Sequence, residues 1–232
     1  MSERLTSTLL IPVLNEAEPL PVVLPKLDPS WVDEIVFVDG GSTDETISII
    51  EAWGKARIIR QEGKGLADAY HTSLHQITTD IVVTFSPDGN SLPDAIPQLI
   101  DKVQQGYDMV IASRYLEGAG SADDDMLTGF GNWAFTTMIN VLFRGSYTDT
   151  LVMLRAYRTK IVEEIKMDTR LSAFEPQLAI RCAVYGKKCT EIPGFEPKRI
   201  GGARKMHPWS NGCDVLEMIV RDWFRYLRGE FK

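Results

Sequence analysis

Cysteine is scarce in this chain of 232 residues: there are three, Cys182, Cys189 and Cys213, an odd number with no Cys-x-x-Cys spacing. That excludes a disulfide framework and a thiolate zinc site, and leaves reduced, partly buried thiols in a cytosol as the expectation. Histidine is equally sparse, at three residues. No window holds 18 uninterrupted apolar residues, so the sequence predicts no bilayer span. The N-terminal Met1-Ser2-Glu3-Arg4 runs straight into strand-like residues, which predicts a chain without a signal peptide and a cytoplasmic location. Basic residues cluster densely in just one stretch, Lys198-Arg199-Ile200-Gly201-Gly202-Ala203-Arg204-Lys205. The formal net charge is −7 and the pI about 5.1, which excludes a broad nucleic-acid surface, since phosphate neutralisation needs grouped Lys and Arg. An anionic small ligand would need a metal or local cations to offset the protein's own field.

What is present is a core. Hydrophobic residues make up 44% of the chain and charged residues 25%, ordinary values for a globular protein. There is no repeat, low-complexity tract or linker, so residues 1–232 read as one domain. Continuous apolar runs at Thr8 to Leu14, Glu34 to Val38, Ala56 to Arg60, Ile81 to Phe85 and Met109 to Ser113 suit parallel strands covered on both faces. Helical stretches at Asp44 to Trp53, Leu66 to Gln76 and Pro93 to Gln104 lie between them, with Ser91 a candidate cap. The alternation predicts an α/β fold: an open, mostly parallel sheet with right-handed crossovers and helices on both faces. Leu151 to Tyr157 reads as a later strand, and Phe174 opens a later helix.

In such sheets ligands lie beyond the carboxyl ends of the strands. Every one of the five ends is polar or glycine-rich: Asn15-Glu16, Asp39-Gly40-Gly41-Ser42-Thr43-Asp44, Glu62-Gly63-Lys64-Gly65, Ser86-Pro87-Asp88-Gly89-Asn90 and Ser113-Arg114-Tyr115. Each alone is ordinary turn chemistry. Five on one edge point to a site.

The stretches IPVLNE, FVDGGSTDET, GKGLADAY, SPDGN, ASRY and the late RIGGARK, spread over about residues 8–205, resemble a family 2 glycosyltransferase of the GT-A fold. The resemblance is strongest to dolichol- and polyprenyl-phosphate sugar transferases. It implies a nucleotide-sugar-binding half over about residues 1–115 and an acceptor half over about 116–232. The implied donor is a UDP- or GDP-sugar, held by Pro12, Asn15, Glu16, Asp39, Gly41, Ser42, Lys64, Ser86, Arg114, Arg199 and Lys205. Carboxylates suit the donors of base and ribose, and Arg or Lys suits phosphate. Asp44 serves equally well as a helix cap.

By the same resemblance, the end of the fourth run carries an Asp-x-Asp that binds Mg²⁺ or Mn²⁺. Here Ser86 replaces the first Asp, so Asp88 and Asn90 are the metal ligands implied. At an effective dielectric near 20 one charge pair about 4 Å apart is worth about 4 kcal/mol. The thinned site is therefore expected to bind metal together with the donor's own oxygens.

Relatives acting on polyprenyl phosphate carry basic residues where this chain has Asp123-Asp124-Asp125. A solvated charge run and a ligand-binding loop both fit. A hydroxyl acceptor would need a general base, with Asp123 to Asp125 and Glu175 as candidates, Asp124 and Glu175 joining Asp88 in the catalytic set; a phosphate acceptor needs none. The implied activity is inverting sugar transfer, to a lipid-linked acceptor or to a hydroxyl of a glycan or small molecule in surface-polysaccharide assembly. An inactive nucleotide-sugar module is the remaining alternative. A nicotinamide dehydrogenase is excluded, because no Gly-x-Gly-x-x-Gly follows the first strand. The C-terminal stretch Val215 to Leu227 carries an apolar helical stripe flanked by Arg221, Arg225 and Arg228, suited to core packing, a homodimer or peripheral contact with the inner membrane face.

Overall fold

The structure, a computed structural model, describes residues 4–168, 173–200 and 208–231, the side chains of 208–210 excepted. A seven-stranded sheet forms its middle. The strands β1 (Ser7–Val13), β2 (Glu34–Asp39), β3 (Arg57–Arg60), β4 (Ile81–Thr84) and β5 (Met109–Ser113) coincide with the five apolar runs. The helices α1 (Leu20–Val23), α2 (Thr46–Trp53), α3 (Gly65–Leu74) and α4 (Ala95–Gln104) connect them. Then follow β6 (Gly120–Ser121), α5 (Met126–Phe143), β7 (Arg155–Arg158), α6 (Ile161–Glu164), α7 (Phe174–Val184), β8 (Cys189–Pro193), β9 (Phe195–Glu196) and α8 (Pro208–Leu227).

The order is β3-β2-β1-β4-β7-β5-β8. All neighbours run parallel except β7, which is antiparallel to both β4 and β5. The chain therefore winds outward from β1 to β3, then returns to place β4 on the other side of β1. In open sheets of this kind that reversal is where ligands bind, beyond the carboxyl ends. The central strands are buried along almost their whole length, from Leu9 to Ile11, Ile35 to Val38 and Ile81 to Val83. Helices on both faces explain their unbroken apolar character.

Four local expectations are corrected. The strand expected at Leu151 to Tyr157 begins only at Arg155, because Leu151 and Val152 turn their amides to Asp149 Oδ1 instead of a neighbouring strand. Ser91 does not cap α4; its hydroxyl bonds Asn90, and the helix starts at Ala95 after a turn containing Pro93 and Asp94. Asp44 lies before α2 and binds back to Thr46 and across to the Ala17 amide. The stripe on α8 divides: Val215, Met218 and Ile219 are buried, while Leu216, Val220, Phe224 and Leu227 are exposed. A second, two-stranded sheet pairs β6 with β9, in a stretch that carries no strand signal in sequence.

Candidate active site

The first part of the site is a clasp between the loops after β1 and β2. Asn15 adopts a left-handed backbone conformation, φ 51°, which Asn tolerates better than most residues. Its Oδ1 accepts from the Thr43 amide at 2.8 Å, and its own amide donates to Ser42 Oγ at 3.0 Å. Asp39, buried at the end of β2, accepts from the Ser42 amide at 2.8 Å and lies 3.9 Å from the exposed Arg60 guanidinium. Glu16 is joined through its amide to Thr46 Oγ1 at 2.7 Å. Asp44 is held below the usual carboxylate range: burial would raise it, but the Thr46 hydroxyl and amide and the Ala17 amide outweigh that. It acts here as a structural tie. Pro12 sits inside β1 opposite Val38, and Lys64 lies exposed just before α3.

The second part gathers around the loop after β4. Asp88 is buried; its Oδ1 accepts from the Asn90 amide at 3.2 Å and its Oδ2 lies 3.0 Å from Arg199 Nη2. Asn90 donates through Nδ2 to Glu196 at 3.1 Å. Ser86 is half-buried in the same turn. The backbone of residues 199–200 is laid against this turn: the Ile200 amide donates to the Asp88 carbonyl at 2.8 Å. Gly89 permits the approach, with φ +81° and no room for a side chain, since a Cβ would meet Ile200 Cδ1 at 2.5 Å.

Arg114, after β5, is the hub of the third part. It grips Asp149 through Nε and Nη2, and its Nη1 reaches Glu196 at 3.0 Å and Asp124 at 3.4 Å. Burial works against its charge, but Asp149, Glu196 and Asp124 outweigh that and fix it as a cation. Burial raises Glu196 above the usual glutamate range, against the pull of Arg114 and the Ser121 hydroxyl. Glu196 is a site residue that the sequence motifs do not reveal. Its position is set by the β6–β9 pairing, which seats it opposite Ser121, and two-residue strands leave no periodic signal.

The three neighbouring acids separate. Asp123 accepts from the Arg199 amide at 3.4 Å, Asp124 binds Arg114 and the Tyr115 hydroxyl, and Asp125 caps α5 in a capping box with Thr128. Glu175 is brought elsewhere. It is buried at the start of α7, accepting from the Tyr70 hydroxyl at 2.6 Å, and burial raises it above the usual range despite Arg155. Arg155, wholly buried, donates to the carbonyls of Glu175, Thr150 and Val152, so it ties α7 to the loop that carries Asp149. Lys205 lies outside the described residues. A surface cavity of about 280 Å³, lined by Val32, Glu34, Lys55 and Arg57 among others, lies at the opposite, amino-terminal edge of β2 and β3.

The donors at the end of β4 suit a hard divalent cation: a carboxylate, an amide oxygen and a hydroxyl. One carboxylate among them makes a weak site, and that carboxylate is already engaged by Arg199. Among the described residues no group of three or more His, Cys, Asp or Glu side chains converges on one point.

Comparison with known proteins agrees with this architecture. The family model described as Glycosyl transferase family 2 matches residues 8–166. The chain is 30% identical over 188 residues to the dolichyl-phosphate hexose transferase of Haloferax volcanii, covering 81% of this chain and 80% of that one. It is 29% identical over 211 residues to the undecaprenyl-phosphate 4-deoxy-4-formamido-L-arabinose transferase of Pectobacterium atrosepticum, covering 85% of this chain but only 62% of that relative's length. Among solved structures, glucosyl-3-phosphoglycerate synthase from Mycobacterium tuberculosis with uridine diphosphate superposes with a TM-score of 0.70 at 20% identity, over 94% of this chain and 80% of that one. The same enzyme with Mn²⁺, uridine diphosphate and glucosyl-3-phosphoglycerate gives 0.66 at 21% identity, over 93% and 77%. At that identity the likeness is one of fold.

Proposed function

The chain belongs to glycosyl transferase family 2, with a GT-A fold, and we propose that it moves a sugar from a nucleoside-diphosphate donor to a polyprenyl-phosphate acceptor. The observation that carries the donor half is the contact between Asp88 and Arg199, an acid and a cation 3.0 Å apart after β4, the strand next to β1 at the strand reversal. Asp39 receives hydroxyl or N–H donors of the nucleoside. Arg199 meets the diphosphate, as a guanidinium fork suits phosphate oxygens. On this reading Glu16, Gly41, Ser42 and Lys64, from the loops after β1, β2 and β3, also serve the donor, with Lys205, which follows Arg199 in sequence. Asp88, Asn90 and Ser86 would hold Mg²⁺ or Mn²⁺. Bound there, the ion would stabilise the charge that grows on the departing diphosphate. Attack from the side opposite that leaving group inverts the anomeric carbon. Uridine diphosphate and Mn²⁺ occur together in a structural neighbour, which supports this reading.

The engagement of the acids favours a phosphate acceptor. Asp123 lies against Arg199, Asp124 is bound to Arg114 and Tyr115, Asp125 caps α5, and Glu175 is buried against Tyr70, so each of the four base candidates is already engaged. A phosphate is already ionised and needs no base. Beside the acids, α5 exposes Met126, Leu127, Phe130 and Trp133, with Phe130 and Trp133 in ring contact. That apolar face starts at the helix capped by Asp125 and suits the lipid that carries the phosphate. The polyprenyl- and dolichyl-phosphate names of two relatives support the same acceptor class. No helix among the described residues is long and apolar enough to cross a membrane, so lipid contact on this reading is peripheral.

The test is a thermal-shift panel of UDP-, GDP-, CDP- and dTDP-sugars, each with and without Mn²⁺, followed by transfer of labelled sugar to polyprenyl phosphate in vesicles. One nucleotide should stabilise the protein in a metal-dependent way, by mass action, and give labelled lipid. Turnover on a soluble glycan alone would sink the lipid acceptor. Binding without any transfer would leave an inactive module.

A further inference from the structure

Arg199 stands where a metal's charge is wanted. Its Nη2 lies 3.0 Å from Asp88 Oδ2 and 3.9 Å from Asp123 Oδ2, and its backbone amide donates to Asp123 Oδ1 at 3.4 Å. One guanidinium therefore spans two carboxylates that come from different loops. The other Asp88 oxygen accepts from the Asn90 amide, so Oδ2 is the oxygen with which Asp88 would meet an incoming cation. A divalent ion and a guanidinium cannot both sit against that oxygen without repelling each other. The Ile200 amide fixes the backbone to the Asp88 carbonyl, the Arg199 amide bonds Asp123, and the Arg199 side chain is 22% exposed on a stem of rotatable bonds.

We propose that Arg199 is a tethered counter-ion of Asp88 that competes with the divalent cation, and that the donor diphosphate relieves the competition by drawing the guanidinium onto itself. The idea rests on the donor reading above. Before the donor arrives, Arg199 neutralises a buried carboxylate that would otherwise be costly to leave alone. A diphosphate offers the fork several anionic oxygens at once, a better partner than one Asp. Asp88 Oδ2 is then open, and the metal enters with phosphate oxygens already in place. The device ties metal binding to the donor: with Arg199 on Asp88 the one-acid site is blocked, and it opens to metal when the diphosphate is bound. It also gives Asp123 a purpose that the acidic run does not show in sequence, as the second anchor of the resting guanidinium.

The experiment is a Mn²⁺ titration followed by the electron paramagnetic resonance signal of the free ion, on wild type, Arg199→Gln, Arg199→Lys and Asp88→Asn, with no nucleotide and with UDP or GDP. Without nucleotide, Arg199→Gln should bind Mn²⁺ about tenfold more tightly than wild type, since a partly exposed cation has been removed from the ligand. Arg199→Lys, which keeps the charge but gives up the fork, should move the same way by less. Asp88→Asn should abolish the site. The nucleotide should tighten Mn²⁺ binding much more in wild type than in Arg199→Gln. Equal or weaker Mn²⁺ binding by Arg199→Gln in nucleotide-free buffer overturns the proposal; if that variant does not fold, an unshifted Arg199→Lys does so. The nucleotide-free comparison reports on the competition alone. Failure of the donor reading shows separately, as the absence of nucleotide-dependent stabilisation in the thermal-shift panel.

Discussion

Arg114 meets Asp149 fork to fork, with Nε 2.6 Å from Oδ2 and Nη2 3.0 Å from Oδ1, across a gap of 35 positions in the chain. Asp149 is wholly buried and only 10% of the Arg114 side chain is exposed. The pair joins the end of β5 to the loop before β7. Asp149 also receives the amides of Leu151 and Val152, and Glu191 on β8 holds the amides of Thr148 and Asp149. The rigidity of the site on this side comes from that chain of contacts.

Arg114→Lys keeps the charge and loses the fork. One Asp149 oxygen is left without its cationic partner in a buried place, so the variant should lose about 2–4 kcal/mol of stability. Urea unfolding measures it. A loss below about 0.5 kcal/mol, the range of ordinary surface changes, would show that the pair does not brace the site.

Gly89→Ala tests the close approach of residues 199–200. The left-handed backbone alone should cost about 1–2 kcal/mol, and the contact with Ile200 adds to it. Gly41→Ala is the control, with φ +91° and open space for 4 Å around the position a Cβ would take. Thermal unfolding should place Gly89→Ala clearly below Gly41→Ala. Equal melting temperatures would mean that the Ile200 contact yields freely.

Asp39→Asn retains an oxygen for the Ser42 amide, so stability should change little, while the charge-assisted bond to the nucleoside proposed above would be lost. Donor affinity should fall by roughly tenfold to a hundredfold, corresponding to about 1.5–3 kcal/mol. Isothermal titration with the nucleotide found in the panel decides it; unchanged affinity removes Asp39 from the donor site.

Glu175 carries a pH signature. Burial raises its folded-state value above the ordinary glutamate value, so folding favours the protonated acid. Its contribution to stability is complete at low pH and is lost as pH rises from the ordinary glutamate range through the raised value. Glu175→Gln, which stays neutral and still accepts from Tyr70, should lack that decline. The difference in unfolding free energy between variant and wild type should grow with pH over that interval; a constant difference would contradict it.

Phe130→Ser with Trp133→Ser removes two exposed rings from α5. Stability should stay within about 0.5 kcal/mol, because neither ring is buried. Co-sedimentation with vesicles containing polyprenyl phosphate should drop, with donor binding unchanged. Undiminished sedimentation would take the lipid away from this face.

Much of the candidate site's layout is legible at the strand ends. Asn15, Asp39, Asp88 and Arg114 follow buried apolar runs, and a parallel sheet brings all such ends to one edge. Glu196 was not legible, since a two-residue strand has no period to read. Glu175 is a candidate by the resemblance alone, which puts an acceptor-facing acid near this point; α7 packs that end into the core, with Tyr70 bonded to Glu175 and stacked on Phe174. The strand at Leu151 was placed too early because apolar composition alone cannot show that Asp149 has claimed the local amides.

Hydrophobic runs and the glycine, acid and proline signals between them determined by themselves that this chain builds a parallel sheet with a polar rim, because burial on both faces demands apolar strands and the turns demand their own residues. Which acid faces which cation was decided only in three dimensions. Asp123, Asp124 and Asp125 are adjacent in sequence, and the bend between β6 and α5 sends them to Arg199, to Arg114 and to the amide of Thr128. Charges choose partners by distance through space, and distance is set by how the loops pack.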